Sequence, residues 1–264
     1  MTSSGIYTRT GKAFARYRDY LWCSVSADLR VQFSGTYLGA IWWLLDPLMY
    51  MMVYVLVVQV IFQRGGPDYP AFVFNALLPW KWASTAIQNS AESIRARSAV
   101  LMQVYVPKFF FPLQRVLVST GNFLLGTIIL VVLNLVYGGQ VTWHMLEALP
   151  VMLVQFTLLL AIGLLMAHVG VFFQDIRNIL GTLLRLMFYL SPALYSLERI
   201  PERIRFLWWL NPMTPLYTSY RLIFMEGRSP LYLPLSIWFL LSLMLLGFGL
   251  HVLNRYDRSY TKIS

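Results

Sequence analysis

IRARSAVLMQVYVPKFFFPLQR, residues 94–115, lies between two apolar runs, 69–87 and 116–137, and resembles neither a membrane span nor a solvated loop. Arg95, Arg97, Lys108 and Arg115 oppose insertion into hydrocarbon. Val100, Leu101, Val104 and the three phenylalanines at 109, 110 and 111 give the stretch too much apolar surface for an ordinary loop. A segment of this kind beside a membrane reads as a docking surface for another protein. Its flanks decide the fold, because each is long enough to be a spanning helix.

Working outward, further apolar runs occupy residues 38–62, 149–173, 179–197 and 231–253, which makes six candidate spans. A hydrocarbon core of about 30 Å takes about 20 helical residues. Hydrophobic residues make up 58% of the 264 and charged residues only 12%, far below the roughly quarter expected of a soluble domain. Hydrocarbon offers no partner for backbone N–H and C=O groups, so the expected class is an all-α membrane protein. We read residues 1–264 as one transmembrane domain: an amphipathic interfacial helix over 10–36, a six-span bundle over 38–253 and a tail over 254–264.

Within the first segment, Phe14, Tyr17, Leu21, Val25, Leu29 and Phe33 recur every three or four positions, while Arg16, Asp19, Ser26 and Arg30 fall elsewhere. A basic amphipathic helix of that pattern lies along the membrane surface, where it serves as an anchor or also grips a cytosolic partner. Lysine and arginine placement sets both termini on the cytoplasmic side of the cell membrane, with residues 94–115 on the same side. The exception is the segment between the fifth and sixth runs, where Arg199, Arg203, Arg205, Arg221 and Arg228 fall outside. Prolines 192, 201, 212, 215 and 230 break that segment into short external helices dipping into the outer leaflet.

Candidate chemistry is sparse. Asp46 sits in the first run beside Trp42, Trp43, Pro47 and Tyr50, and an ionisable residue inside a span marks either a functional site or a group reaching water. No phosphate-binding G-x-x-x-x-G-K-[ST] loop is present, so any energy from ATP comes from a partner. His144, His168 and His251 lie on separate segments without carboxylates or cysteines at ligand spacing, and the single cysteine, Cys23, excludes an internal disulfide. With no nucleophile elbow or paired acidic motif, the chain reads as a non-enzyme that needs no cofactor of its own. The net charge of +10 flanks the runs and suits anionic headgroups or an anionic substrate rather than nucleic acid.

Four segments in order, YRDYLWCSVSADLRVQFSGTYLGAIWWLLDP (17–47), SAVLMQVYVPKFFFPL (98–113), FFQDIRNI (172–179) and SPALYS with LNPMTPLYTSYR (191–196 and 210–221), resemble the permease subunit of type-2 ATP-binding-cassette exporters of polysaccharides, the teichoic acid and O-antigen exporter family. The resemblance spans nearly the whole chain. It implies a coupling helix over 98–104 seated in the ATP-binding subunit, a return over 105–112 and a second contact over 172–178. The ATPase-coupling residues it implies are Arg95, Arg97, Ser98, Val100, Leu101, Val104, Tyr105, Pro107, Lys108, Gln174, Asp175 and Arg177. It further implies a homodimer with two ATP-binding subunits carrying ATP and Mg, and a passage lined by spans one and five. Trp42, Trp43, Asp46, Tyr50 and Tyr189 are the substrate-path candidates, aromatic faces being suited to stacking on sugar C–H groups. Ala27 and Gln174 stand where the family often has arginine.

The expected function is therefore export of a polyprenyl-linked glycopolymer, wall teichoic acid first, with O-antigen or capsular polysaccharide as the alternative. A membrane transferase acting on polyprenyl-linked sugars would need an intramembrane histidine with acidic partners, which the sequence lacks. A structural anchor for a cytosolic complex is the third class.

Overall fold

A computed structural model describes residues 3–33, 41–97, 106–173 and 175–257. Among these residues the chain forms nine α-helices and no strand. They are α1 (Ser3–Phe33), α2 (Ile41–Val55), α3 (Tyr69–Glu92), α4 (Phe110–Val136), α5 (Ala148–Phe172), α6 (Ile176–Leu190), α7 (Glu202–Trp209), α8 (Met213–Phe224) and α9 (Tyr232–Arg255). Helix α2 continues through a π-helical segment, Leu56–Ile61. A short 3₁₀ segment, Trp143–Glu147, leads into α5.

Four helical stretches among the described residues are long and apolar enough to cross a membrane: Ile41–Ile61, Phe110–Val136, Trp143–Phe172 and Tyr232–Arg255. The other two expected runs differ for separate physical reasons. Helix α3 has 24 residues, about 36 Å at 1.5 Å per residue, but carries Asn75, Lys81 and Gln88. It lies at the centre of the bundle, packed against α2, α4, α5, α6 and α8, and buries Val73, Phe74, Leu78, Trp82, Ala83 and Ala86. A helix ringed by other helices meets little lipid, so polar side chains there find partners. Helix α6 has only 15 residues, about 22 Å, and carries Arg177 and Arg185.

Polar links fix the helices around α3. The Asn75 amide donates to Ala71 O and to Asn134 Oδ1, each at 2.8 Å. Gln155 Nε2 donates to Pro79 O at 2.9 Å, and the Tyr220 hydroxyl donates to Gln155 Oε1 at 3.0 Å. Because a buried polar group without a partner costs free energy, these bonds set a register that apolar contact alone leaves loose. Close approach also depends on Gly170: a Cβ there would strike the carbonyl oxygen of Ala91 at the end of α3.

Prolines punctuate the segment after α6 as their chemistry demands. Pro201 precedes α7, Pro212 precedes α8, and Pro215 sits in the first turn of α8, where a missing N–H removes no helical hydrogen bond. Helix α7 exposes Ile204, Phe206 and Leu207, whereas α8 is almost wholly buried. Arg221 explains part of the excess of arginines in this segment. Its guanidinium is only 8% exposed and donates to Phe72 O at 3.1 Å, Pro192 O at 2.8 Å and Ala193 O at 2.7 Å, lying 3.4 Å over the Phe72 ring. Arg205 donates to Ile200 O, and Arg228 pairs with Glu226. Three of the five arginines thus have partners within the chain.

Candidate functional site

At one end of the bundle, α1 lies against the two arms of the 94–115 segment. Leu21 and Val25 are buried with Ile94, Val106, Phe109, Phe110 and Leu253, and Tyr17 meets Phe110 edge-on at 5.9 Å between ring centroids. The helix begins at Ser3, earlier than residue 10, and its stripe residues Leu21 and Val25 are buried against the bundle. Trp22 and Val31 remain exposed on the other side.

Asp28 is the electrostatic centre of this end. Its carboxylate accepts from Arg97 (3.1 Å to Oδ1), Gln114 (2.9 Å to Oδ2) and Arg115 (3.0 Å to Oδ2). One turn further along α1, Gln32 Oε1 accepts from Asn122 at 3.0 Å. Two other pairs brace the same end: Arg177 with Glu92 at 3.1 Å and Lys108 with Asp257 at 3.7 Å. The Lys108 side chain is 2% exposed, so its charge faces inward.

Among the coupling candidates, Ser98, Val100, Leu101, Val104, Tyr105 and Gln174 lie outside the described residues. Arg95 and Asp175 are exposed, Pro107 is half-buried, and Arg97, Lys108 and Arg177 are held in the ion pairs within the chain. The fold engages Arg97, Lys108 and Arg177 with Asp28, Asp257 and Glu92, which stand far from them in sequence.

The substrate-path candidates fall on a different part of the molecule. Asp46 pairs with Lys81 of α3, and both side chains are half-buried. One and two turns beyond Asp46 on the same face of α2 come Tyr50, which is exposed, and Tyr54. Tyr54 approaches Tyr189 of α6, hydroxyl to hydroxyl at 3.5 Å, and packs on Phe188 at 6.0 Å. Trp80 of α3 meets the same Phe188 at 5.7 Å, and Tyr195 bonds the Tyr189 carbonyl. Trp42 is exposed, while Trp43 is half-buried and turned toward Gly126 of α4, where an added Cβ would stand 3.0 Å from its ring. Asp46, Tyr50 and Tyr189 therefore share one aromatic face with a lysine, and the Trp43 ring is turned toward α4.

Lys81, Tyr54, Trp80 and Phe188 belong to that face without having been singled out by sequence. The signal for Lys81 was present: a lysine in an apolar run is as costly as Asp46, and two opposite charges in neighbouring spans invite pairing. His144 Nδ1 meets both Glu147 at 3.2 Å and Ser229 at 3.3 Å. Both partners address the same ring nitrogen, so this is not a nucleophile relay, which needs one partner on each. His168 packs between the rings of Phe172 and Tyr256.

A bundle of apolar helices with a Lys–Asp pair and an aromatic stripe set among them is the architecture of an integral membrane protein. The chain belongs to the ABC-2 type transporter family, whose sequence model matches residues 20–225. It is 37% identical over 233 residues to the O-antigen export system permease protein RfbA of Myxococcus xanthus, covering 88% of this chain and 90% of that one. It is 26% identical over 246 residues to the protein of the same name from Klebsiella pneumoniae, covering 93% and 95%. It is 23% identical over 236 residues to the polysialic acid transport protein KpsM of Escherichia coli, covering 84% and 88%. It is a permease and not an enzyme, and its family implies an ATP-binding-cassette partner.

Proposed function

We propose that this permease exports an O-antigen polysaccharide on its polyprenyl carrier across the cell membrane. The observation that carries this reading is the 37% identity, across 88% of the chain, to a permease named for O-antigen export. That likeness turns the expected cargo away from wall teichoic acid, since the relatives are O-antigen and polysialic acid exporters. Capsular polysaccharide is the second reading, supported by the weaker likeness to the polysialic acid protein.

The working unit is a homodimer with two ATP-binding-cassette subunits, which bring ATP and Mg. Both termini are cytoplasmic, and α3 and α6 complete a six-span bundle around the four apolar stretches. The length of α3 supports this count, as does the central position that spares it from lipid. Residues 98–104 seat in the partner, with 105–112 as the return and Asp175 and Arg177 in the second contact. On the substrate side, Trp42, Tyr50, Tyr54 and Tyr189 offer ring faces to sugar, and Lys81 offers a cation to the phosphate that links polymer to carrier. Asp46 holds that lysine in place between passages.

Deleting the gene is expected to remove long-chain polysaccharide from the cell surface while polyprenyl-linked polymer accumulates inside. The check is gel analysis of envelope polysaccharide beside extraction of the lipid-linked pool. Surface O-antigen of normal length and amount in the deletion strain would overturn the assignment. Loss of capsule alone would establish the second reading.

A further inference from the structure

We propose that Asp28 is the positioning residue that makes α1 move as one body with the 94–115 segment, so that force applied to the segment reaches the first span through α1. The inference rests on reading that segment as the seat of the ATP-binding subunit.

One carboxylate holds both arms of the segment. Arg97 precedes residues 98–105, and Gln114 and Arg115 follow them, yet all three converge on Asp28 within 3.1 Å. The distance between the arms is thereby fixed from α1 rather than by either arm alone. The apolar contacts of Leu21 and Val25 with Ile94, Val106 and Phe110 would hold the helix against the bundle but would tolerate sliding along it. Directional bonds to a charge remove that freedom, because charge-assisted hydrogen bonds are short and geometrically demanding. The Gln32–Asn122 bond repeats the attachment one turn on, to α4. In sequence, the first apolar stretch begins at Ile41, shortly after α1 ends at Phe33.

The charge count makes the clasp asymmetric. Arg97 and Arg115 face a single carboxylate, so removing its charge does more than lose two ion pairs. It leaves two guanidinium groups side by side without a counter-charge, and their repulsion drives the arms apart. Asp28→Asn keeps the shape and one acceptor oxygen, which isolates this electrostatic effect from packing.

The test uses the permease co-expressed with its ATP-binding subunit in a strain lacking the chromosomal permease gene, with the strain's own envelope polysaccharide as the readout. Asp28→Asn is expected to keep co-purification of the ATPase and ATP hydrolysis and to lower the thermal midpoint of the complex only modestly, because Arg97 and Arg115 reach solvent, while surface polysaccharide exported per ATP hydrolysed falls by about tenfold, within the usual range for coupling between sites. Asp28→Glu should recover most of the loss. The exchange Asp28→Arg with Arg97→Asp should recover more than either single change. Export by Asp28→Asn within about twofold of the parent would overturn the inference, as would a loss no greater than the accompanying fall in the amount of folded permease in the membrane. A Val100→Asp, Leu101→Asp double variant separates the two readings. If it still binds the ATPase, the docking assignment itself fails; if it loses the ATPase while Asp28→Asn exports normally, only the role of Asp28 fails.

Discussion

Arg221→Ala is expected to destabilise the permease by about 3–5 kcal/mol, the usual result of breaking a buried charged network from one side. The arginine donates to three backbone carbonyls from two separate places, Phe72 in the first turn of α3 and the Pro192–Ala193 turn after α6. Neither carbonyl of the turn has a helical neighbour to fall back on, because Pro192 and the bend that follows interrupt the ladder. Alanine would leave all three acceptors facing the space vacated by the side chain, at about 1–3 kcal/mol each where water does not reach them. An adjoining cavity lined by Asp68, Asn134 and Glu226 admits some water and keeps the total below the sum. Arg221→Lys retains the charge but concentrates its donors on one nitrogen, so it is expected to recover less than half of the loss. Thermal unfolding of the purified protein in detergent, followed by tryptophan fluorescence, checks both. A shift of about 10 °C is expected for alanine at 2–4 °C per kcal/mol, and an unchanged midpoint would remove Arg221 from the list of structural keystones.

That role could not be read from the chain. By sequence Arg221 is one of five arginines in a proline-rich segment and counts against the expected charge asymmetry. Its partners are backbone carbonyls 28, 29 and 149 residues away, and carbonyls carry no sequence signature. The same limit hid the Asp28 cluster. The α1 stripe of Tyr17, Leu21, Val25 and Leu29 is legible because helical periodicity is local, although the surface it packs on, here the bundle, is not. That Asp28, off the stripe, would engage Arg97 and Arg115 is not legible, since pairing across 69 and 87 residues depends on how the helices stack. Proline positions forecast the starts of α7 and α8 because a missing N–H acts at the residue itself. Apolarity alone is a poor guide to α3 for the opposite reason. Its environment is other helices, so its sequence answers to Asn134 and Gln155 rather than to lipid.

The Asp46–Lys81 pair separates structure from transport more sharply than any other feature. Lys81→Met leaves Asp46 as an uncompensated carboxylate among apolar helices, and Asp46→Leu leaves the lysine in the same position. Each single change is expected to cost about 1–3 kcal/mol, less than for a fully buried pair because both groups are partly exposed. The double variant Asp46→Leu, Lys81→Met removes both charges together. Replacing an ion pair with apolar side chains of similar volume is often neutral or stabilising, so the double variant is expected to regain the parent's thermal midpoint. If the pair were only a strut between α2 and α3, export would return with stability. If Lys81 meets an anionic linkage on the cargo, export stays low, by about tenfold or more, since a hydrogen bond to a charged group is worth about 1.5–3 kcal/mol. Asp46→Leu alone refines the choice further: it frees the lysine, and a cargo that competes with Asp46 for that cation should then bind more tightly and leave more slowly. Surface polysaccharide measured across the four-member cycle, beside the thermal midpoint of each member, reads both effects at once. A double variant that recovers stability and export together would assign the pair to the scaffold and take Lys81 out of the path.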